Sequence, residues 1–241
     1  MAATKIKLLS RLEVAEGTMA FLFERPDGFE FKAGQSGDFT LLNPPETDAE
    51  GNTRAFSIAS PPHEQELMIA TRMRNTAFKR VLKAVSIGTE ISLEGPFGSL
   101  TLHNNVERPG VFLAGGIGIT PFRSIVFRAA KERTPQRLYL FYSNRSPETA
   151  AFLEELIDLE KHNSNFKLIA TMDEVGKSHR GWNGEMGFIN KAMLTKYLKT
   201  LEGPIFYIAG PPAMVTAMQK MLNEAGVNDD DIRIEAFSGY A

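Results

Sequence analysis

Three short clusters in this sequence could hold phosphate groups or place two planar ligands against each other. Gly115-Gly116-Ile117-Gly118-Ile119-Thr120-Pro121 follows directly on the apolar run Val111-Phe112-Leu113-Ala114. Bare glycines after a buried strand let phosphates approach the backbone, and the unpaired N–H groups of a following helix start favour negative charge. Pro121 suits a first helical position, where its missing donor costs nothing. The spacing departs from G-x-G-x-x-G because position 121 is proline. A tight strand-to-helix turn with no ligand would also fit this stretch. A second cluster, Tyr142-Ser143-Asn144-Arg145, ends the next strand. An acid at such a strand end holds the ribose hydroxyls of NAD, whereas an arginine accommodates the extra phosphate of NADP. The third, Arg54-Ala55-Phe56-Ser57, alternates, so Arg54 and Phe56 share one face and Ala55 and Ser57 the other.

The composition removes several other chemistries. The sequence has no cysteine, which excludes disulfides, a catalytic thiol and cysteine-ligated iron–sulfur clusters within it. His63, His103, His162 and His179 are scattered, with no pair at a spacing that would share a helical face. Redox chemistry here would come from an organic cofactor. Net charge is −2, so no strong field draws the chain to nucleic acid or anionic lipid. No segment approaches the roughly 20 apolar residues of a membrane span, and the expected location is cytoplasmic with no membrane partner. Gly176-Lys177-Ser178 lacks the upstream glycine of a P-loop, since Thr171 stands there. No G-x-S-x-G supports a serine hydrolase. Asp229-Asp230-Asp231 reads as a solvated turn.

These clusters need elements to hold them. Up to about residue 105, short apolar runs are broken by Gly, Pro, Asn and Asp. Thr18–Phe23, Gly37–Leu42, Arg54–Ala59, Glu66–Thr71 and Glu90–Leu93 read as strands of an antiparallel barrel or sandwich. One helix, Thr76–Ala84, is capped by Asn75 or Thr76. Beyond residue 105 strands and helices alternate, as in a parallel doubly wound sheet. The expected strands are Gly110–Ala114, Arg137–Tyr142, Lys167–Thr171, Pro204–Ala209 and Asp231–Ala236. The expected helices are Pro121–Arg133, Pro147–Lys161, Ile189–Lys199 and Ala213–Ala225, with a mobile surface loop near residues 176–184. His103–Pro109 reads as a linker, dividing the chain into 1–105 and 106–241.

Arg54–Ser57, Gly95-Pro96-Phe97-Gly98-Ser99-Leu100, the glycine turn and Ala209-Gly210-Pro211-Pro212, in that order, resemble the ferredoxin–NADP reductase family over nearly the whole chain. The resemblance implies an N-terminal flavin-binding barrel and a C-terminal nicotinamide-nucleotide domain. By that likeness Arg54 binds the flavin phosphate, Phe56 packs along the flavin and Ser57 lies near its reactive N5. The family usually has tyrosine at the position of Phe56, so a hydroxyl contact to the ribityl chain is lost. Met73-Arg74-Asn75-Thr76 resembles the diphosphate-binding turn, which favours FAD over FMN. Gly115, Gly116, Gly118, Thr120 and Pro121 would hold the nicotinamide nucleotide, with Gly210, Pro211 and Pro212 as the other wall. Ala209 stands where the family often has cysteine. Ile234-Glu235-Ala236-Phe237 resembles the ending in which an aromatic ring shields the flavin, with Phe237 as first choice for that ring and Tyr240 as second.

The expected function is hydride transfer from NADPH or NADH to bound FAD, with Ser57, Glu235 and Phe237 acting at the reacting rings. Electrons would pass to a ferredoxin, a flavodoxin, an oxygenase component or a small molecule. Two other readings compete. One is a flavin reductase that uses flavin as a loosely bound substrate; the other is a non-catalytic flavin- and nucleotide-binding subunit of a redox complex.

Overall fold

A computed structural model describes residues 3–237, so Tyr240 lies outside the described residues. The first half is antiparallel. Its elements are β1 (Thr4–Ala15), β2 (Thr18–Glu24), β3 (Ser36–Leu41), β4 (Thr53–Ser57), β5 (Glu66–Arg72), α1 (Ala77–Ala84) and β6 (Glu90–Phe97). The strands run in the order β4-β3-β6-β1-β2-β5 and curl into a barrel-like sheet. Just past β4, Ala59 N–H donates to Met68 O at 2.7 Å and Met68 N–H to Ser60 Oγ at 2.9 Å, which ties the two ends of the sheet together. Phe21, Phe23, Phe39, Phe78 and Leu82 fill the interior. Fully burying each ring contributes roughly 1.5–3 kcal/mol.

β1 is a strand that the sequence pattern hides. Its first part pairs with β6 and the rest with β2, and register shifts fall between Leu8 and Ser10 and between Glu13 and Ala15. Such bulges break alternation and bend the strand around the barrel. Only Ile6 and Leu8 along it are buried.

The second half is a parallel sheet ordered β10-β9-β8-β7-β11-β12. Its elements in chain order are β7 (Gly110–Gly115), α2 (Ile119–Glu132), β8 (Leu138–Asn144), α3 (Leu153–His162), β9 (Phe166–Met172), β10 (Glu185–Met186), α4 (Lys191–Tyr197), β11 (Ile205–Gly210), α5 (Pro212–Glu224) and β12 (Ile232–Ala236). Every residue of β7 and β11 is buried, as central strands covered on both faces should be.

Two expectations for this half need correction. The helix expected over Pro147–Lys161 is broken, because Phe152 takes a left-handed φ of 62° and α3 begins only at Leu153. A bulky residue rarely adopts that conformation; here its ring is buried, with Arg123 stacked 5.0 Å from its centroid. α2 begins two residues before Pro121, so proline sits at the third helical position, where the N–H is also unpaired. The stretch expected to be a surface loop makes side-chain and backbone contacts to the body of the sheet. Glu148 Oε1 accepts from Ser178 Oγ at 2.8 Å and from the N–H groups of His179 and Arg180 at 3.1 Å, and the chain then adds β10 beside β9. Among the described residues, no helix is long and apolar enough to cross a membrane.

Candidate functional site

The chain order of the parallel sheet reverses between β7 and β11, and ligands of doubly wound sheets bind at such a reversal, beyond the carboxyl ends of the strands. A cleft of about 540 Å³ opens there. That size is within the range of small-molecule and cofactor sites. Its floor is set by close backbone packing. A Cβ on Gly118 would lie 2.1 Å from Ala209 O, and a Cβ on Gly115 would lie 2.2 Å from Met214 Sδ. Glycine at 118 lets the turn after β7 lie directly against the end of β11, and glycine at 115 leaves room for the Met214 side chain of α5.

Of the expected nucleotide residues, Gly115, Gly116, Ser143, Asn144, Arg145 and Pro211 line the cleft. Gly118, Thr120, Pro121, Gly210 and Pro212 do not. Thr120 is buried, with its hydroxyl donating to Ile117 O at 3.1 Å, and Pro121 is enclosed in α2. Gly118 and Gly210 serve as packing glycines, Gly210 lying against Gly115. Asn144 is only 5% exposed and both polar atoms of its side chain lack a hydrogen-bond partner. An orphaned amide at the end of β8 suits a polar ligand in the cleft, since leaving it unsatisfied is costly.

Among the polar and aromatic lining residues, Arg72, Asp173 and Phe188 were not expected, and Arg74 was expected at the flavin diphosphate and not in this cleft. Arg72 and Arg74 reach in from the barrel, and Asp173 and Phe188 from the ends of β9 and β10. The Arg72 guanidinium faces Gly116, with Nη2 3.5 Å from where a Cβ would stand. Two cations at a glycine turn match a diphosphate in charge. No local pattern signals this, because Arg72 and Gly116 approach only when the two halves pack. Asp173, exposed one residue past β9, adds an acceptor to the same lining.

Beside the cleft the two sheets meet. Ser57 Oγ donates to Glu235 Oε1 at 3.3 Å, joining the end of β4 to β12. The segment just after Ser57 is pinned by α2: Arg123 Nη1 donates to Ala59 O at 2.9 Å and Ser124 Oγ to Ser60 O at 2.8 Å. Arg123 is itself buried and paired with Glu155 at 2.7 Å. Phe237, half-buried, packs on the apolar cluster under α2, and its N–H donates to Gly210 O at 3.0 Å.

Burial raises the pKa of Glu235, and the Ser57 hydroxyl only partly opposes this. A carboxyl whose folded pKa is raised favours folding while protonated, below its ordinary 4.5, and that contribution is lost as pH rises through the folded value. Glu235→Gln keeps a neutral side chain at every pH. Its melting temperature is therefore expected to gain on wild type as pH climbs from the acid range to neutrality. Thermal scans with a difference that is flat in pH would contradict this.

The residues expected around a flavin phosphate are arranged differently from expectation. Arg54 and Phe56 do share a face: Arg54 stacks 5.3 Å from the Phe78 centroid, and the Phe56 ring lies between Phe39 and Phe78. Ala55 points outward and is exposed. Thr76 caps α1, with Oγ1 accepting from Lys79 N–H at 3.5 Å. The turn before it, however, spends its donors internally. Met73 N–H goes to Gly17 O at 2.8 Å and Thr76 N–H to Arg74 O at 2.9 Å, while Asn75 Oδ1 accepts from Arg80. Two further groups that could face a phosphate are the Arg54 guanidinium and the first helical N–H, on Ala77. Both point at Asp48, whose carboxylate takes Ala77 N–H at 2.8 Å and Arg54 Nη2 at 3.3 Å. A donor set that already holds an anion fits a flavin phosphate in its chemistry. Nearby Lys79 is largely buried, and desolvation together with Arg74 and Arg54 pulls it down to about 8.

Residues 112–220 match the model of the oxidoreductase NAD-binding domain. One subunit of the Na(+)-translocating NADH-quinone reductase from Yersinia enterocolitica is 28% identical over 232 residues, covering 90% of this chain and 56% of that relative. This chain thus spans about half the length of such curated relatives. Two solved structures superpose across both sheets. A ferredoxin NADP+ reductase from Neisseria gonorrhoeae with bound FAD and NADP has a TM-score of 0.79 at 23% identity, covering 97% of this chain and 98% of that one. The Amycolatopsis cytochrome P450 reductase GcoB has a TM-score of 0.82 at 19% identity, covering 98% of this chain and 70% of that one. With an antiparallel barrel-like sheet ahead of a parallel sheet whose core matches that NAD-binding model, this chain has the fold of those reductases.

Proposed function

We propose that the chain is an NAD(P)H-dependent flavin oxidoreductase, with the flavin on the barrel (1–105) and the nicotinamide nucleotide on the parallel sheet (106–241). The observation that carries this reading is the Ser57–Glu235 hydrogen bond, which joins the two sheets beside the cleft at the strand reversal. A flavin held there supplies hydride acceptance from the nicotinamide and one-electron release. The chain's own residues supply position: Arg72 and Arg74 draw the nucleotide's phosphates to Gly115 and Gly116, and Asn144 binds a polar group of the nucleotide. Ser57 and Glu235 offer a hydroxyl and a proton-holding carboxyl at the junction. Orienting two rings in one cleft removes much of the entropic barrier to reaction.

The relatives named as NADH-quinone reductase subunits, and the neighbours named as ferredoxin and cytochrome P450 reductases, support a protein electron acceptor. These 241 residues have no cysteine, so a cysteine-ligated acceptor cluster would be held by residues outside them. Arg145 at the mouth of the cleft favours NADPH, while Asp173 repels an added phosphate. Anaerobic addition of each nucleotide to the protein loaded with FAD tests the assignment. Bleaching of the flavin's visible absorbance is expected, and the faster nucleotide identifies the donor. Bound flavin that neither nucleotide reduces would reject the reading. The second reading, a reductase that binds flavin loosely, draws support from the Asp48 carboxylate lying on Arg54.

A further inference from the structure

The segment between β3 and β4 carries three carboxylates, and each engages the part of the barrel expected to hold flavin phosphate. Glu46 pairs with Arg80 at 2.5 Å, and Arg80 in turn donates to Asn75 Oδ1 at 2.7 Å. Asp48 takes Arg54 Nη2 at 3.3 Å and Ala77 N–H at 2.8 Å. Glu50 takes the same Arg54 Nη2 at 2.8 Å. The other terminal nitrogen of Arg54, Nη1, donates to the carbonyls of Glu50, Gly51 and Thr53 at 2.9, 3.1 and 2.7 Å. The arginine that family likeness assigns to flavin phosphate is therefore surrounded by this one segment.

The segment is built as a strap. Asn43 and Gly51 sit near its ends with left-handed φ values of 46° and 74°. It is fixed to the sheet at its base, where Leu41 N–H donates to Asn52 O at 2.9 Å and Asn52 Nδ2 to Leu41 O at 2.8 Å. Between those points it crosses the mouth of the cradle, and its side chains keep substantial solvent access: 32% for Asp48 and 64% for Glu50. Exposed ion pairs of this kind contribute little stability each, so the strap can leave at small cost. The Ala77 N–H is the largest influence holding the Asp48 carboxyl below the ordinary range, so it stays ionised at neutral pH.

We propose that the Glu46–Gly51 strap is a displaceable anion that competes with the flavin's phosphate for Arg54 and the Ala77 N–H, and so sets how tightly the protein retains its flavin. The proposal rests on the flavin reading above. Arg54 Nη2 already carries two carboxylates and the Ala77 N–H has a single proton, taken by Asp48, so phosphate binding to these groups requires Asp48 to move out. The flavin's ring system and ribityl chain make no such demand. The strap thus discriminates among flavins by their phosphate and weakens only those ligands that carry one.

The test is equilibrium binding of FAD, FMN and riboflavin to the full chain, read by quenching of flavin fluorescence, in wild type and Asp48→Asn. Asparagine still accepts from Ala77 N–H but lacks the charge. Removing a like charge from an anion site is expected to tighten FAD and FMN about tenfold or more, with riboflavin unchanged. Glu50→Gln, which leaves the helix cap untouched, should tighten both phosphorylated flavins by a smaller factor, and it carries the test if Asp48→Asn fails to fold. FAD binding that is unchanged or weaker in these variants, with wild type still binding flavin, would overturn the strap and leave the flavin reading standing. No binding of any flavin to wild type or variants would overturn both.

Discussion

Ser57→Ala is expected to slow reduction of bound flavin by NAD(P)H about 10²-fold, the loss typical of removing one preorganised donor at a reacting centre. Flavin and nucleotide affinities should change little. Ser57 is 5% exposed and its hydroxyl donates to Glu235, so the substitution removes a group at the junction without touching Arg54 or the cations of the cleft. Its backbone neighbours are fixed independently by Arg123 and Ser124, so the strand end should stay in place. Stopped-flow reduction under anaerobic conditions separates the two quantities: nucleotide binding from the concentration dependence, the chemical step from the limiting rate. Combining Ser57→Ala with Glu235→Gln should cost less than the sum of the single effects, because the two side chains touch. A limiting rate equal to wild type would remove Ser57 from the chemistry and leave it as a packing residue at the seam.

What sequence could show of this site follows from the range of the interactions involved. The glycine turn, the Thr76 cap and the alternation of Arg54 with Phe56 are local, and each sits where its pattern put it. Buried β7 and β11 announced themselves as unbroken apolar runs. β1 did not, because its bulges cancel the period of two on which strand reading depends. Phe152 looked like a helical residue since its apolar spacing with Leu153 and Leu156 is helical; only the burial of its ring beside Arg123 explains the left-handed break. Arg72 and Asp173 were not legible because no local pattern marks them as ligand-binding, and Arg74, expected at the flavin diphosphate, lines the nucleotide cleft instead. Their role depends on packing of the barrel against the parallel sheet. Asp48 was missed for the same reason: it lies 29 positions from the Ala77 N–H it accepts.

Gly118→Ala is expected to be the most damaging single methyl group in the chain's nucleotide half. The added Cβ would lie 2.1 Å from Ala209 O and 2.7 Å from Gly210 N. Both are backbone atoms of β11, in the centre of the sheet, so no side-chain rotation relieves the clash. Either the turn after β7 or the end of β11 must shift, and overpacking of this kind costs about 1–3 kcal/mol or more. For a chain of this size that corresponds to a fall of roughly 2–12 °C in melting temperature. Nucleotide affinity should fall with it, because the same displacement moves Gly115 and Gly116 away from Arg72 and opens the contact between Gly210 and Gly115. Gly181→Ala serves as the comparison, since a Cβ there meets nothing within 4 Å and the residue is exposed. Differential scanning calorimetry and titration with NADP+ and NAD+ measure both effects. If Gly118→Ala melts and binds as Gly181→Ala does, the close approach of the two strand ends is not what shapes the cleft. The phosphate turn would then owe its form to the glycines' flexibility and not to their lack of volume.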